Sequence, residues 1–301
     1  MPIIEKDPWR LQYFEGIPCP ENVIIPTDDD VAYRLYPQYR WVYNKLLTCE
    51  TQGLENGPHG TTPSHFPVFS KPVYNLRGMG TDSKIISTPE EYEEKQTPGH
   101  MWMPLLEGEH VSSDVAVISG KPVWWRHTIG ISLGEGTFDY WAVSDESRND
   151  IESYCGDWAC RNLTEYTGIV NFETISGTII ECHLRLSDQF VDLYGPGWVE
   201  SVINLYINKV WNFKDDSRRK GYSVVLFGKH GVRYSRIDSS TIKELMNTPG
   251  VSSIQITFHE EKSLRSHAMP PGGFRLAIVN CWLLDSGFKV RERLASLFQL
   301  T

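Results

Sequence analysis

The chain has 301 residues, 40% of them hydrophobic and 22% charged, with a formal net charge of −9. That length and apolar content suffice for one large or two ordinary folded domains and exclude a disordered chain. The acidic balance argues against nucleic acid or an anionic membrane as the main partner, while leaving room for a local basic pocket. No apolar run approaches the ~20 residues of a membrane helix, and the stretch from Met1 to Arg10 lacks the apolar core of a signal peptide. The six cysteines form no disulfide framework; only Cys155 and Cys160 lie close together, and a reducing cytoplasm is the expected location.

Residues 1–40 are rich in Pro, aromatics and acids and hold no complete βαβ unit; Asp28-Asp29-Asp30 reads as a loop or helix-capping run. A helix is predicted from about Tyr39 to Gln52, ended by Gly53. A loop over 57–67 leads into a short strand ending at Lys71 and then the glycine-bearing loop Asn75-Leu76-Arg77-Gly78-Met79-Gly80. Glycines let a loop bring its backbone N–H groups to phosphate oxygens, and a lysine at the strand end adds charge to the same anion. The pattern is not a Walker loop, because no Gly-Lys-Ser/Thr follows it. Thr88-Pro89-Glu90-Glu91 is a capping box with Pro at the first helical position, so a short helix starts there and ends before Pro98-Gly99. Residues 100–127 read as antiparallel strands turning at 118–121; Arg126 and His127 lie on one that either lines a cleft or belongs to a surface pair. Further on come a helix over 149–167, a hairpin, a helix over 199–210 and a strand over 221–228. A helix over 240–246, a strand over 252–258, a buried strand over 274–281 and a helix over 290–298 complete the chain.

The hairpin, Val170 to Leu186, is the richest stretch. Strand side chains alternate faces, so Glu181, His183 and Arg185 share one face and Cys182, Leu184 and Leu186 the other; Asn171 and Glu173 alternate likewise with Val170 and Phe172. A two-residue turn at Ser176-Gly177 would put Glu173 and Glu181 on opposite sides. A three-residue loop, Ile175-Ser176-Gly177 with Gly177 left-handed, would put them on one side, and that loop is the expectation. It gathers two acids, an imidazole and a guanidinium, a composition that suits a divalent metal plus phosphate. Alternation alone is equally met by a half-buried hairpin with a solvated polar face.

The order of these parts resembles the ATP-grasp superfamily, in the version of biotin carboxylases and carboxylate–amine ligases. Asn44-Lys45 is similar to the start of the small subdomain with its first nucleotide lysine, and Phe69-Ser70-Lys71-Pro72 to the strand with the second. Arg77-Gly78-Met79-Gly80 resembles the flap over the phosphates, and the run from Met103 through Pro104, Leu105 and Leu106 to His110 resembles the adenine hinge and ribose-side strand. Phe172-Glu173 with Glu181-Cys182-His183-Leu184-Arg185 resembles the metal hairpin, with His183 where the family has Asn.

The resemblance implies an α+β fold, with a shortened N-terminal segment (1–40), a small grasp subdomain (41–105) and a large one with the metal hairpin (106–215), both built on antiparallel sheets. A small C-terminal α/β segment (216–301) follows. It implies ATP held by Lys45, Lys71, Gly78, Gly80, Pro104, Leu105, Leu106 and His110. Metal would be held by Glu173, Glu181 and His183, and catalysis would fall to Arg185 and Arg77. Mg²⁺ is the implied metal, and an imidazole ligand makes Mn²⁺ an alternative. The implied activity is an ADP-forming ligase that activates a carboxylate as an acylphosphate for an amine or other nucleophile. The implied partners are those small molecules, without nucleic acid or membrane, with room for a homo-oligomer or a second subunit completing the substrate site. A nucleotide-binding sensor or scaffold without catalysis is the alternative.

Overall fold

The computed structural model describes residues 2–298 apart from Met79, 263–266 and 268–269. Its N-terminal segment supplies β1 (Ile3–Ile4) and β2 (Ile25–Pro26), paired in parallel, then helix α1 (Asp29–Leu35). The helix expected from Tyr39 to Gln52 is two pieces, a 3-10 run over Pro37–Tyr43 and α2 (Lys45–Glu50). Asn44 breaks it: its backbone is extended and its side chain accepts from the Leu46 N–H, satisfying a helix-start donor in place of continuing the first helix. The break sets Lys45 in the first turn of α2, where it is buried.

A small antiparallel sheet follows, from β3 (Gly57–Pro58), β4 (Val68–Pro72), β5 (Lys84–Ile86) and β6 (His100–Pro104), in the order β3-β6-β4-β5. Helix α3 (Pro89–Lys95) begins at the predicted cap, where Thr88 accepts from the Glu91 N–H, and packs Tyr92 against Val68, Ile86 and Trp102.

The chain then builds an eight-stranded sheet. Its strands are β7 (His110–Ile118), β8 (Lys121–Gly134), β9 (Thr137–Val143), β10 (Gly168–Ile175), β11 (Thr178–His183), β12 (Gly221–Gly228), β13 (Val251–Ile256) and β14 (Phe274–Cys281). The order is β11-β10-β7-β8-β9-β12-β14-β13, antiparallel throughout, so the strands of residues 216–301 extend the sheet begun by β7.

Helices cover both faces. On one, α4 (Asn149–Asn162) sets Ile151 and Trp158 against Val115, Val170, Phe172 and Leu184. The same face meets α7 (Ser239–Met246) and α8 (Leu284–Leu297) through Ile242, Val290 and Leu294. Helix α8 begins six residues before its predicted start at 290 and contains Gly287. A Cβ there would lie 2.6 Å from Cys281 Sγ and 2.7 Å from Val224 Cγ2, so glycine is what lets the helix touch the sheet. On the other face α5 (Val191–Tyr194) and α6 (Trp198–Asn208) pack Tyr194 and Trp198 onto Trp124, Trp141 and Ile169. Beyond that core the same face is polar, and there the cavity lies. Among the described residues no helix is long and apolar enough to cross a membrane.

Candidate functional site

The hairpin loop differs from expectation. Ile175 pairs with Thr178, leaving Ser176 and Gly177 as a two-residue turn with φ of 47° and 80°, the primed geometry that suits strand twist. Glu173 nevertheless faces Glu181. The register slips by one between Thr174↔Ile179 and Glu173↔Glu181, so Ile180 is an extra, bulged residue on β11. The bulge does what the third loop residue was expected to do. Two neighbours hold it: Lys71 Nζ donates to the Ile180 carbonyl at 3.0 Å, while Gln52 of the α2 end donates to the Ile179 carbonyl at 2.9 Å and accepts from its N–H at 3.0 Å.

The polar face so formed is tightly paired. Lys45 Nζ lies 3.4 Å from Glu181 Oε1, and His110 Nε2 lies 3.3 Å from Glu173 Oε2. His183 Nε2 is 3.4 Å from Glu181 Oε2 and 3.8 Å from Glu173 Oε1. Its Nδ1 is 3.0 Å from Asp29 Oδ1, and Arg185 Nε is 3.2 Å from the same oxygen.

Asp29 is a site residue that sequence reasoning missed. Asp28 and Asp30 pair with Lys6 at 3.1 and 2.9 Å, whereas Asp29, only 5% exposed, turns into the site. Asp28, which stands at the N-cap of α1, makes no capping bond with its side chain. Successive helical residues point about 100° apart, so one of three adjacent acids can enter while its neighbours stay out.

The charges hold one another. Burial opposes ionisation of Asp29, but Arg185 and His183 outweigh it and bring its carboxyl down to about 2. Burial likewise works against Glu181 and Glu173, and is overcome by Lys45, His183 and Lys71 in the first case and by His110 in the second, so both sit below the usual range. His183 goes the other way: burial would lower it, and Asp29 raises it to about 9. Burial pulls the Lys71 ammonium below its ordinary value.

The thirteen residues that the resemblance assigns to nucleotide, metal and catalysis line one cavity of about 720 Å³: Lys45, Lys71, Arg77, Gly78, Gly80, Pro104, Leu105, Leu106, His110, Glu173, Glu181, His183 and Arg185. The glycine loop enters it with left-handed backbone at Gly78 and Gly80, shaped by Asn75, which donates to the Gly78 carbonyl and accepts from the Arg77 N–H; Met79 lies outside the described residues. The segment from Pro104 to Leu106 joins the two sheets over an apolar base of Cys49, Met101 and Met103, and His110 packs on Phe138 and Trp141.

Arg126 and His127 neither line a cleft nor form a surface pair. Both are fully buried: Arg126 pairs with Asp215, and His127 sits between Ser113 Oγ at 2.8 Å and Glu152 Oε1 at 3.1 Å beneath α4. Strand alternation placed them on opposite faces, but helices and loops that the strand itself does not reveal cover each face.

Among the described residues, no three His, Cys, Asp or Glu side chains are preassembled as a metal cage. Yet His183 Nε2 is buried without a hydrogen-bond partner and lies within 3.8 Å of both glutamates. Two ionised carboxylates suit a divalent ion whose other positions come from phosphate oxygens and water, and His183 could join them only by releasing its Nε2 proton.

No protein-family model matches the sequence, and no curated protein matches it. Solved structures do match in three dimensions. The L-amino acid ligase from Bacillus licheniformis gives a TM-score of 0.65 at 13% identity, over 96% of this chain and 82% of that one. The N5-carboxyaminoimidazole ribonucleotide synthetase from Thermotoga maritima gives 0.60 at 13% identity, over 92% and 81%. The phosphoribosylamine–glycine ligase from Thermotoga maritima gives 0.59 at 15% identity, over 94% and 84%. With these ligases the chain shares the ATP-grasp fold, an α+β arrangement of a small and a large antiparallel sheet.

Proposed function

We propose that the chain is an ATP-dependent, ADP-forming ligase that activates a carboxylate as an acylphosphate for attack by an amine or related nucleophile. One observation carries the reading: two buried lysines, an arginine and two ionised glutamates line a single cavity that also takes in a glycine loop and the link between the sheets. Two proteins of this fold support it further by name, an L-amino acid ligase and a synthase complexed with ATP. In this reading residues 41–105 and 106–215 act as two jaws.

Adenine lies against the backbone of Pro104 to Leu106, with His110 toward the ribose. Lys45 and Lys71 hold the α- and β-phosphates, and the N–H groups around Gly78 and Gly80 close over the phosphate chain. Lys45 pairs with Glu181 and Lys71 donates to the Ile180 carbonyl, and phosphate oxygens offer both ammonium groups a further, charged partner. Glu173, Glu181 and His183 would then hold Mg²⁺, or Mn²⁺, which when bound neutralises phosphate oxygens.

A substrate carboxylate oxygen attacks the γ-phosphorus and the bond to ADP breaks. Arg185 and Arg77 stabilise the charge spread over the transferring group. The nucleophile then attacks the acyl carbon and phosphate leaves. The experiment is ADP release with pooled carboxylates, pooled amines, and both together. Release that needs both pools supports the reading; no release under any combination, in a chain that binds ATP, contradicts it.

One observation favours a nucleotide-binding sensor or scaffold instead. Asp29 keeps a charged imidazole beside the glutamates, and a fixed cation there competes with a divalent ion. ATP binding without metal dependence and without turnover would select that reading.

A further inference from the structure

Asn171 of β10 stands in the middle of the polar face and has no part in the chemistry above. It pairs across the hairpin with His183 and shares its strand face with Glu173, which in turn pairs with Glu181. The four side chains form a block on two adjacent strands, with cross-strand Cβ atoms about 5 Å apart. Asn171 is buried among protein atoms and lines the cavity.

The amide is oriented by what lies on its other side. Nδ2 donates to Ser112 Oγ at 2.9 Å and to Asp114 Oδ1 at 2.8 Å, both on β7. Asp114 accepts there, since the Ser187 N–H and the Tyr194 hydroxyl each donate to its other oxygen at 3.0 Å. The NH₂ group therefore belongs on the Asp114 side, and both of its hydrogens are used. Strands β7 and β11 flank β10 on opposite sides. An amide whose nitrogen is drawn to β7 turns its oxygen toward β11, where Glu181 and His183 stand. Among the described residues that oxygen accepts no hydrogen bond.

A buried amide oxygen without a donor, set beside two ionised glutamates, is completed best by a cation. Side-chain amide oxygens are ordinary ligands of hard divalent ions, and they bind without losing a proton. We infer that Asn171 Oδ1 is a ligand of the divalent ion alongside Glu173 and Glu181, so that β10 supplies the neutral oxygen that the resemblance places at position 183 of β11. The inference rests on the metal–nucleotide part of the reading above.

The test is binding without turnover. Titration calorimetry measures the affinity of the full chain for a non-hydrolysable ATP analogue with and without Mn²⁺. The enhancement by Mn²⁺ should fall by about tenfold in Asn171→Ala, while the metal-free affinity stays within about twofold of wild type. Asn171→Cys keeps the test decisive if the first variant does not fold. A thiolate in place of a hard oxygen should move the enhancement from Mn²⁺ toward Cd²⁺ by about tenfold relative to wild type, with a thiolate–cadmium charge-transfer band that wild type lacks. An amide that only braces Asp114 would alter the stability of both variants and leave these ratios alone. An unchanged Mn²⁺ enhancement in Asn171→Ala, or no turn toward Cd²⁺ in Asn171→Cys, overturns the ligand. Wild-type binding that ignores Mn²⁺ overturns the ligand together with the metal centre, and is told apart from failure of Asn171 alone because wild type then has no enhancement to lose.

Discussion

Two buried histidines on opposite faces of the large sheet hold their protons in opposite ways. His183, on the cavity face, touches Asp29 and is raised to about 9; His127, beneath α4, touches Glu152 and is lowered by burial. Each has a carboxylate within 3.1 Å. The difference lies in the carboxylates: His183 meets Asp29, 5% exposed, on Nδ1 and has Glu181 and Glu173 within 3.8 Å of Nε2, whereas His127 has Glu152 alone, 25% exposed. Water screens the Glu152 charge, and the neutral Ser113 takes the other ring nitrogen of His127. In this fold the charged imidazole is the one with carboxylates at both ring nitrogens, the nearest of them buried with it.

Asp29→Asn would break that comparison most severely. It strands two cations, His183 and Arg185, without their shared counter-charge, and should cost about 3–5 kcal/mol in urea unfolding. The comparison can also be read through pH. His183 has a folded value above its unfolded one, so its contribution is full below about pH 6.5 and is lost as pH rises through 9. That window carries about 3 kcal/mol in wild type. Ring-proton NMR should find His183 titrating near pH 9 and His127 below its ordinary value. A smaller effect tests how the hairpin is held: Gln52→Ala removes two hydrogen bonds to Ile179 and should cost about 1–2 kcal/mol, with weaker nucleotide binding as the bulge loosens. Smallest of all, Glu152→Gln keeps an acceptor for His127 and should change stability by about 1 kcal/mol or less.

Strand alternation made the hairpin's polar face readable, because the period of two depends only on the backbone. The bulge at Ile180 was not readable: no residue type marks it, and it is held by Lys71 and Gln52 from distant parts of the chain. Burial of Lys45 was hidden for a related reason, since only the break at Asn44 turns that lysine inward. Asp29 was visible as one of three acids, but which of them enters is decided by how α1 docks.

The central claim is that the hairpin face binds ATP through a divalent ion. Titration calorimetry of ATP, with Mg²⁺ and then with Mn²⁺, into wild type and Glu181→Ala tests it most directly. The account predicts metal-dependent binding in wild type that Glu181→Ala loses. Binding that ignores the metal, or that survives Glu181→Ala unchanged, would contradict it.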